Sequence, residues 1–185
     1  MVDRCLVVLL GAVLLLPGGG GLSAQALGPS RTGPVIEGSG PVYTVTDPDF
    51  ATPTGMMRAV WEVALATDDP GQRNPRIESL ARFLNMHAQA GVPRENLKLA
   101  MVVHGTAGKD LLDHAGYRAR HGVDNPNHQM IQDLIGFGVD VVLCGQTQMA
   151  RGLPRDQLAP GVQVALSAMT ALVDFQERGY RLIPF

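Results

Sequence analysis

Between residues 57 and 185, short apolar runs alternate with stretches whose apolar positions recur at helical spacing. No other feature of the chain constrains its fold as strongly. A short apolar run bounded by turn residues suits a strand covered on both faces, and an amphipathic stretch between two such runs is the crossover that a parallel pair requires. Such crossovers are right-handed, so the chain is expected to form a small doubly wound α/β domain: a mostly parallel sheet with helices on both faces. At 185 residues there is room for one ordinary domain, and 45% hydrophobic against 17% charged residues suits a packed core.

Individual elements follow from their punctuation. Arg58 to Ala66 reads as a strand closed by the turn cluster at Thr67 to Gly71. Asn74 and Pro75 then open a helix as cap residue and first-turn proline, with Ile77, Leu80, Ala81 and Leu84 on its apolar face and Gly91 beyond its end. A second strand spans Leu97 to Val103, and a short helix is expected around Lys109 to Ala119. Asn125 to Asn127 introduces the next helix, which stops at Gly138 and is followed by the most apolar strand, Val139 to Leu143. Gly145 to Arg151 resembles the first turns of a short helix, Val164 to Arg178 has helical periodicity, and Tyr180 to Pro184 reads as the last strand.

Ahead of the domain lie two segments of different character. Residues 1–26 have the layout of a secretory signal: Arg4, an unbroken apolar stretch from Leu6 to Leu16, helix breakers from Pro17, and small residues at Ala24 and Ala26 that place the cut after Ala26. Eleven apolar residues fall short of the ~20 needed to span a bilayer, so stable membrane insertion after signal removal is not expected. The mature protein is then periplasmic or secreted. Residues 27–56, dense in Gly, Pro, Ser and Thr, are either an extended linker or a strap lying on the domain.

Cleavage also removes Cys5 and leaves Cys144 as the lone cysteine of the mature chain, so it is either a small buried hydrophobe or a working thiol. In an open parallel sheet, chemistry gathers beyond the carboxyl ends of the strands. His104 and Cys144 each follow directly on such an end and are the candidate catalytic pair. A helix starting at Gly145 would favour the thiolate, and Gly145 itself would let the chain turn tightly and a substrate approach the sulfur. Asn127, a helix cap by position, is a candidate liner of the same rim and joins Gly145 as a candidate substrate-binding residue. Lys109 could meet an anion, although a solvated loop lysine is the plainer reading.

Several chemistries are excluded. A net charge of −2 without a basic run gives no footprint for nucleic acid. The segment His104 to Asp110 lacks the glycine spacing of a phosphate loop and has Asp where a hydroxyl should hold magnesium. His114, His121 and His128 recur every seven residues, but Gly122 and Pro126 interrupt them, and no metal site is expected. No G-x-S-x-G elbow and no C-x-x-C is present, and no cofactor is called for.

Asn85, Leu99 to Gly105 (LAMVVHG), Asn125-Pro126-Asn127, Leu143 to Gln148 (LCGQTQ), Pro160-Gly161-Val162 and Gly179 to Phe185 (GYRLIPF) together resemble the DsrE/DsrF-like family, in particular its exported single-domain members, over residues 57–185. The resemblance implies a flavodoxin-like sandwich that assembles into homo-oligomers, often trimers or hexamers. It also implies that Cys144 matches the position at which sulfur-relay members carry a persulfide, for sulfur transfer or intracellular-type sulfur oxidation chemistry. The partners would then be a sulfur donor and an acceptor thiol. His104 would stabilise the thiolate or exchange a proton, and Asn127 and Gln146 would line the site. The competing expectation is a non-catalytic oligomeric binding or assembly module in which Cys144 is buried packing.

Overall fold

Side chains alternate between the two faces along a strand, so each apolar run divides its residues between two helical layers. The computed structural model describes residues 30–184, and the segment read as a signal, with its cut after Ala26, lies outside the described residues. Strands β1 (Met57–Val63), β2 (Leu97–Val103), β3 (Asp140–Cys144), β4 (Gln163–Ala165) and β5 (Arg181–Pro184) form one sheet in the order β4-β3-β2-β1-β5. Every pairing is parallel. The flavodoxin-like α/β expectation holds.

Helices α1 (Pro75–Gln89), α2 (His114–His121) and α3 (His128–Phe137) supply one layer. Their Leu80, Leu84, Tyr117, Ile131 and Leu134 meet the odd-numbered residues of β1 to β3, such as Trp61, Met101 and Leu143, in the larger core. Among the described residues the opposite layer is the single helix α5 (Ala168–Glu177), whose Ala168, Ala171 and Phe175 cover Val60, Ala100, Val102 and Val142. One helix covers only the middle of a five-stranded face. Arg58 and Lys98 are exposed at its amino end, and Glu62, His104 and Cys144 follow at its carboxyl end.

Three boundaries differ from expectation. Strand β1 stops at Val63 rather than Ala66, because its partner β2 ends in register at Val103. The short helix expected at Lys109 to Ala119 is a 3-10 segment, Gly105–Leu111, followed by α2. Val164 belongs not to a helix but to β4, which pairs with Val142 to Cys144. The helix starts only after Ser167, whose hydroxyl accepts the Thr170 N–H and caps it. Three residues of edge strand were too few to break the helical periodicity in the sequence.

The Gly/Pro-rich segment forms a strap over residues 31–42. Arg31 and Val42 bridge in antiparallel fashion, and Ile36 and Val42 are buried. Asn85 of α1 holds it: Oδ1 accepts the Val35 and Ile36 amides, and Nδ2 donates to the carbonyls of Ile36, Ser39 and Gly40.

Candidate functional site

Sequence parity brings the site together. Val103 and Leu143 are register partners, so the next step along both strands puts His104 beside Cys144, with Cys144 opposite Ala165 of β4. Both side chains point to the α5 face, as does Glu62 of β1. His104 Nε2 lies 2.8 Å from Glu62 Oε1, with the two side chains 27% and 37% exposed. The carboxyl edge therefore carries a row running carboxylate, imidazole, thiol across β1, β2 and β3. A carboxylate bonded to one imidazole nitrogen fixes the ring's orientation.

Cys144 ends β3 and is the cap residue of α4 (Gly145–Ala150). It is a free thiol, 6% exposed, packed with Val142, Ala168 and their neighbours. Burial alone would push the thiol up. The Thr147 amide and hydroxyl, the Ala168 amide and the Gln146 amide, all directed at the sulfur, outweigh burial and hold the thiol below its ordinary value. Two helix starts thus converge on one sulfur. The Ala168 N–H, the first of α5, has no acceptor within the helix, and the Ser167 side chain caps the Thr170 amide instead.

Two glycines allow this convergence. A Cβ on Gly145 would stand 2.6 Å from the Ala165 carbonyl oxygen, so only glycine lets α4 start against β4. Gly105 sits at φ +58°, and a Cβ there would meet the Ala64 carbonyl at 2.5 Å. Its amide donates to Thr147 Oγ1 at 3.1 Å, which orients that hydroxyl beneath the thiol.

Of the residues singled out from sequence, Cys144, His104, Gly145 and Gln146 come together. Gln146 is exposed, contributes its backbone amide, and reaches the Leu166 carbonyl with its side chain. Asn127 is elsewhere. It is fully buried on the α1/α3 side, where its Oδ1 accepts the Asn74 amide at 2.7 Å. Its side chain makes no cap bond to α3; the Asn127 amide donates instead to Asn125 Oδ1. A buried side chain bonded to the start of α1 cannot line a solvent-facing rim. Lys109 is not a solvated loop lysine: its ammonium donates to buried Asp110 and to the Tyr117 hydroxyl, at 2.8 and 2.9 Å. Burial pulls its pKa down, and those two bonds more than restore it.

Sequence reasoning passed over Glu62 and Thr147. The signal for Glu62 was present, as the sole carboxylate inside the run RAVWEVALA. Among the described residues no cluster of three or more His, Cys, Asp or Glu could hold a metal ion. His114 and His128 stack with ring centroids 4.3 Å apart, whereas His121 packs on Tyr117. No helix among the described residues is long and apolar enough to cross a membrane.

A parallel sandwich that presents a donor-surrounded thiol at the carboxyl edge of its sheet defines a thiol-bearing member of the doubly wound α/β class. Residues 63–185 match the DsrE/DsrF-like family, and the chain belongs to it. That membership suggests a function of the sulfur-relay type. Among solved structures the chain is similar to the ychN protein from E. coli, at 21% identity and TM-score 0.52 over 70% of this chain and all of that one. It is also similar to MTH1491 from Methanobacterium thermoautotrophicum, described as a protein of unknown function, at 22% identity and TM-score 0.51 over 70% and 99% of the two chains. These likenesses establish the fold. No curated protein matches the chain.

Proposed function

We propose that this protein is an exported sulfur carrier or sulfurtransferase in which Cys144 holds a transient persulfide. The observation that carries the reading is the set of four donors, from Gln146, Thr147 and Ala168, around one thiol whose burial would otherwise keep it protonated. The Cys144 thiolate attacks the outer sulfur of a donor R–S–SH; the new S–S bond forms as the donor's own S–S bond breaks, and R–S⁻ departs. An acceptor thiolate then attacks the terminal sulfur, takes it as a new persulfide, and returns Cys144 as thiolate. His104, oriented by Glu62, supplies positive charge beside the anion or exchanges the proton of the bound S–H. Gly145 and the Gln146 amide line the approach.

Export rests on the signal-like layout of residues 1–26, and intact mass of the secreted protein tests it. Assembly into a homo-oligomer is supported by the half-covered α5 face. Leu166, just ahead of α5, and Met169 and Val173, four apart on it, are 74%, 75% and 59% exposed, and a second copy of the chain would bury them.

Incubating the mature protein with polysulfide should add roughly one sulfur, ~32 Da, to the wild type and none to folded Cys144→Ser. Equal loading of the variant refutes the proposal. The competing module with a structural cysteine draws on the 6% exposure of Cys144. In that case the thiol alkylates only after unfolding, and rapid native alkylation excludes it.

A further inference from the structure

A second concave site lies beyond the same sheet edge, on the opposite face from Cys144. The 3-10 segment Gly105–Leu111, the end of α2 and the end of α4 enclose a cleft of about 410 Å³, within the range of small-ligand sites. Lys109, Arg120, His121 and Arg151 line it, with the Thr106 hydroxyl on one wall and Asp68 as its only carboxylate. Lys109 is pinned in place by Asp110 and Tyr117. Arg120 donates to the Gly152 carbonyl, and neither Arg120 nor Arg151 forms an ion pair among the described residues. The carbonyl ends of α2 and α4 attract cations individually. They do not account for two guanidinium groups lining one hollow against the single lining carboxylate of Asp68, because Asp110 already balances the Lys109 ammonium and the arrangement leaves net positive charge for an anion to meet. The pKa of His121 is lowered first by burial and then by the charge of Lys109, with Asp110 opposing and Arg120 adding to the lowering.

We propose that this cleft binds a polyvalent oxyanion of the phosphate or sulfate class, either free or as the headgroup of a small organic molecule. Planar guanidinium groups offer paired N–H donors that match two oxygens of such an anion, and Lys109 contributes a fixed point charge. Leu153 provides an apolar wall that a bare ion would not use. The site is independent of the persulfide reading: α4 presents Thr147 to Cys144, and Arg151, the cap residue just past its end, faces the cleft.

Calorimetric titration of the mature protein at low ionic strength, with inorganic pyrophosphate, thiosulfate and ribose 5-phosphate as probes, tests this. Saturable binding is expected for the wild type and for Cys144→Ser. Arg151→Gln should weaken it at least tenfold and Arg120→Gln/Arg151→Gln abolish it, while Arg58→Gln, exposed at the far end of β1, leaves it unchanged. Tighter binding of ribose 5-phosphate than of the inorganic ions identifies the headgroup form, and the reverse order identifies the free ion. Absence of saturable binding for all three probes, or equal weakening by Arg58→Gln and Arg151→Gln, overturns the proposal. Because Cys144→Ser retains the cleft, loss of sulfur loading and loss of anion binding are read separately.

Discussion

Thr147 is the residue whose replacement most directly tests how the thiol is activated. Its hydroxyl donates to the Cys144 sulfur and accepts from the Gly105 amide, and its methyl packs where a Cβ on Gly108 would stand 2.9 Å away. Thr147→Val keeps the methyl and the backbone donor and removes only the hydroxyl. A hydrogen bond to a charged group contributes ~1.5–3 kcal/mol, and at the lower end its loss reduces the thiolate population about tenfold. The remaining thiolate is more nucleophilic, with a Brønsted slope of ~0.4–0.5, so native alkylation below the thiol pKa should slow by only about three- to fourfold. The pH profile should move to the alkaline side. Leaving the Gly105 amide without an acceptor should also cost ~1–3 kcal/mol in denaturant unfolding. Thr147→Ser retains both hydrogen bonds and should restore the wild-type alkylation profile. A valine variant with an unshifted profile would show that the hydroxyl does not stabilise the thiolate; a serine variant as slow as valine would show that the hydroxyl alone does not account for the slowing.

Three further outcomes are expected. Glu62→Gln weakens a partly exposed pair of the kind that contributes ~0.2–1 kcal/mol, so sulfur loading by the folded variant should slow by at most about fivefold; a loading rate equal to the wild type's would remove Glu62 from the mechanism. The thiol of Cys144 is lower in the folded state than in the unfolded chain, so between the two values the unfolded state binds more protons. Stability relative to Cys144→Ser should therefore rise with pH through that window, level off above the unfolded thiol's ~8.5, and be lost as pH falls through the folded value; urea melts giving a flat difference would contradict the lowered thiol. Asn85→Ala leaves the strap's Ile36 amide and its Ile36, Ser39 and Gly40 carbonyls without partners. The strap can lift, so the cost is capped near the ~1.5–3 kcal/mol that burying Ile36 or Val42 provides, and proteolysis should cut residues 31–42 before the domain unfolds; a strap that stays protected would mean Asn85 does not hold it.

What the sequence disclosed is what periodicity and punctuation encode. Asn74-Pro75, Gly138 and the runs at Leu97 and Val139 marked elements because caps, breakers and apolar alternation act within a few residues of themselves. The strand-end positions of His104 and Cys144 were legible for the same reason, since parallel strands end together at one edge. Asn127 misled because a helix-start asparagine looks alike whether its side chain caps its own helix or, as here, accepts an amide 53 residues away. The strap was legible only as an alternative to a linker, because the side chain that decides between them, Asn85, lies on a helix read for its apolar face.

The activation of Cys144 was the least legible part, and the reason lies in where its donors originate. A helix start at Gly145 could be read beside the cysteine, but α4 is short and supplies only the Gln146 and Thr147 groups. The Ala168 amide arrives from a second helix whose start was hidden by β4, three residues of edge strand inside an otherwise helical pattern. It is free for the sulfur because the first amide of a helix has no acceptor within the helix, while Ser167 caps the Thr170 amide. Thr147 in turn is aimed by the Gly105 amide, from the end of a different strand. Each residue has an ordinary local role, as cap, turn or strand end, and its local pattern is complete without reference to the thiol. Only the parallel register that sets β3 between β2 and β4 converts those separate termini into one donor shell, so a buried sulfur can be held as an anion without any nearby motif that announces it.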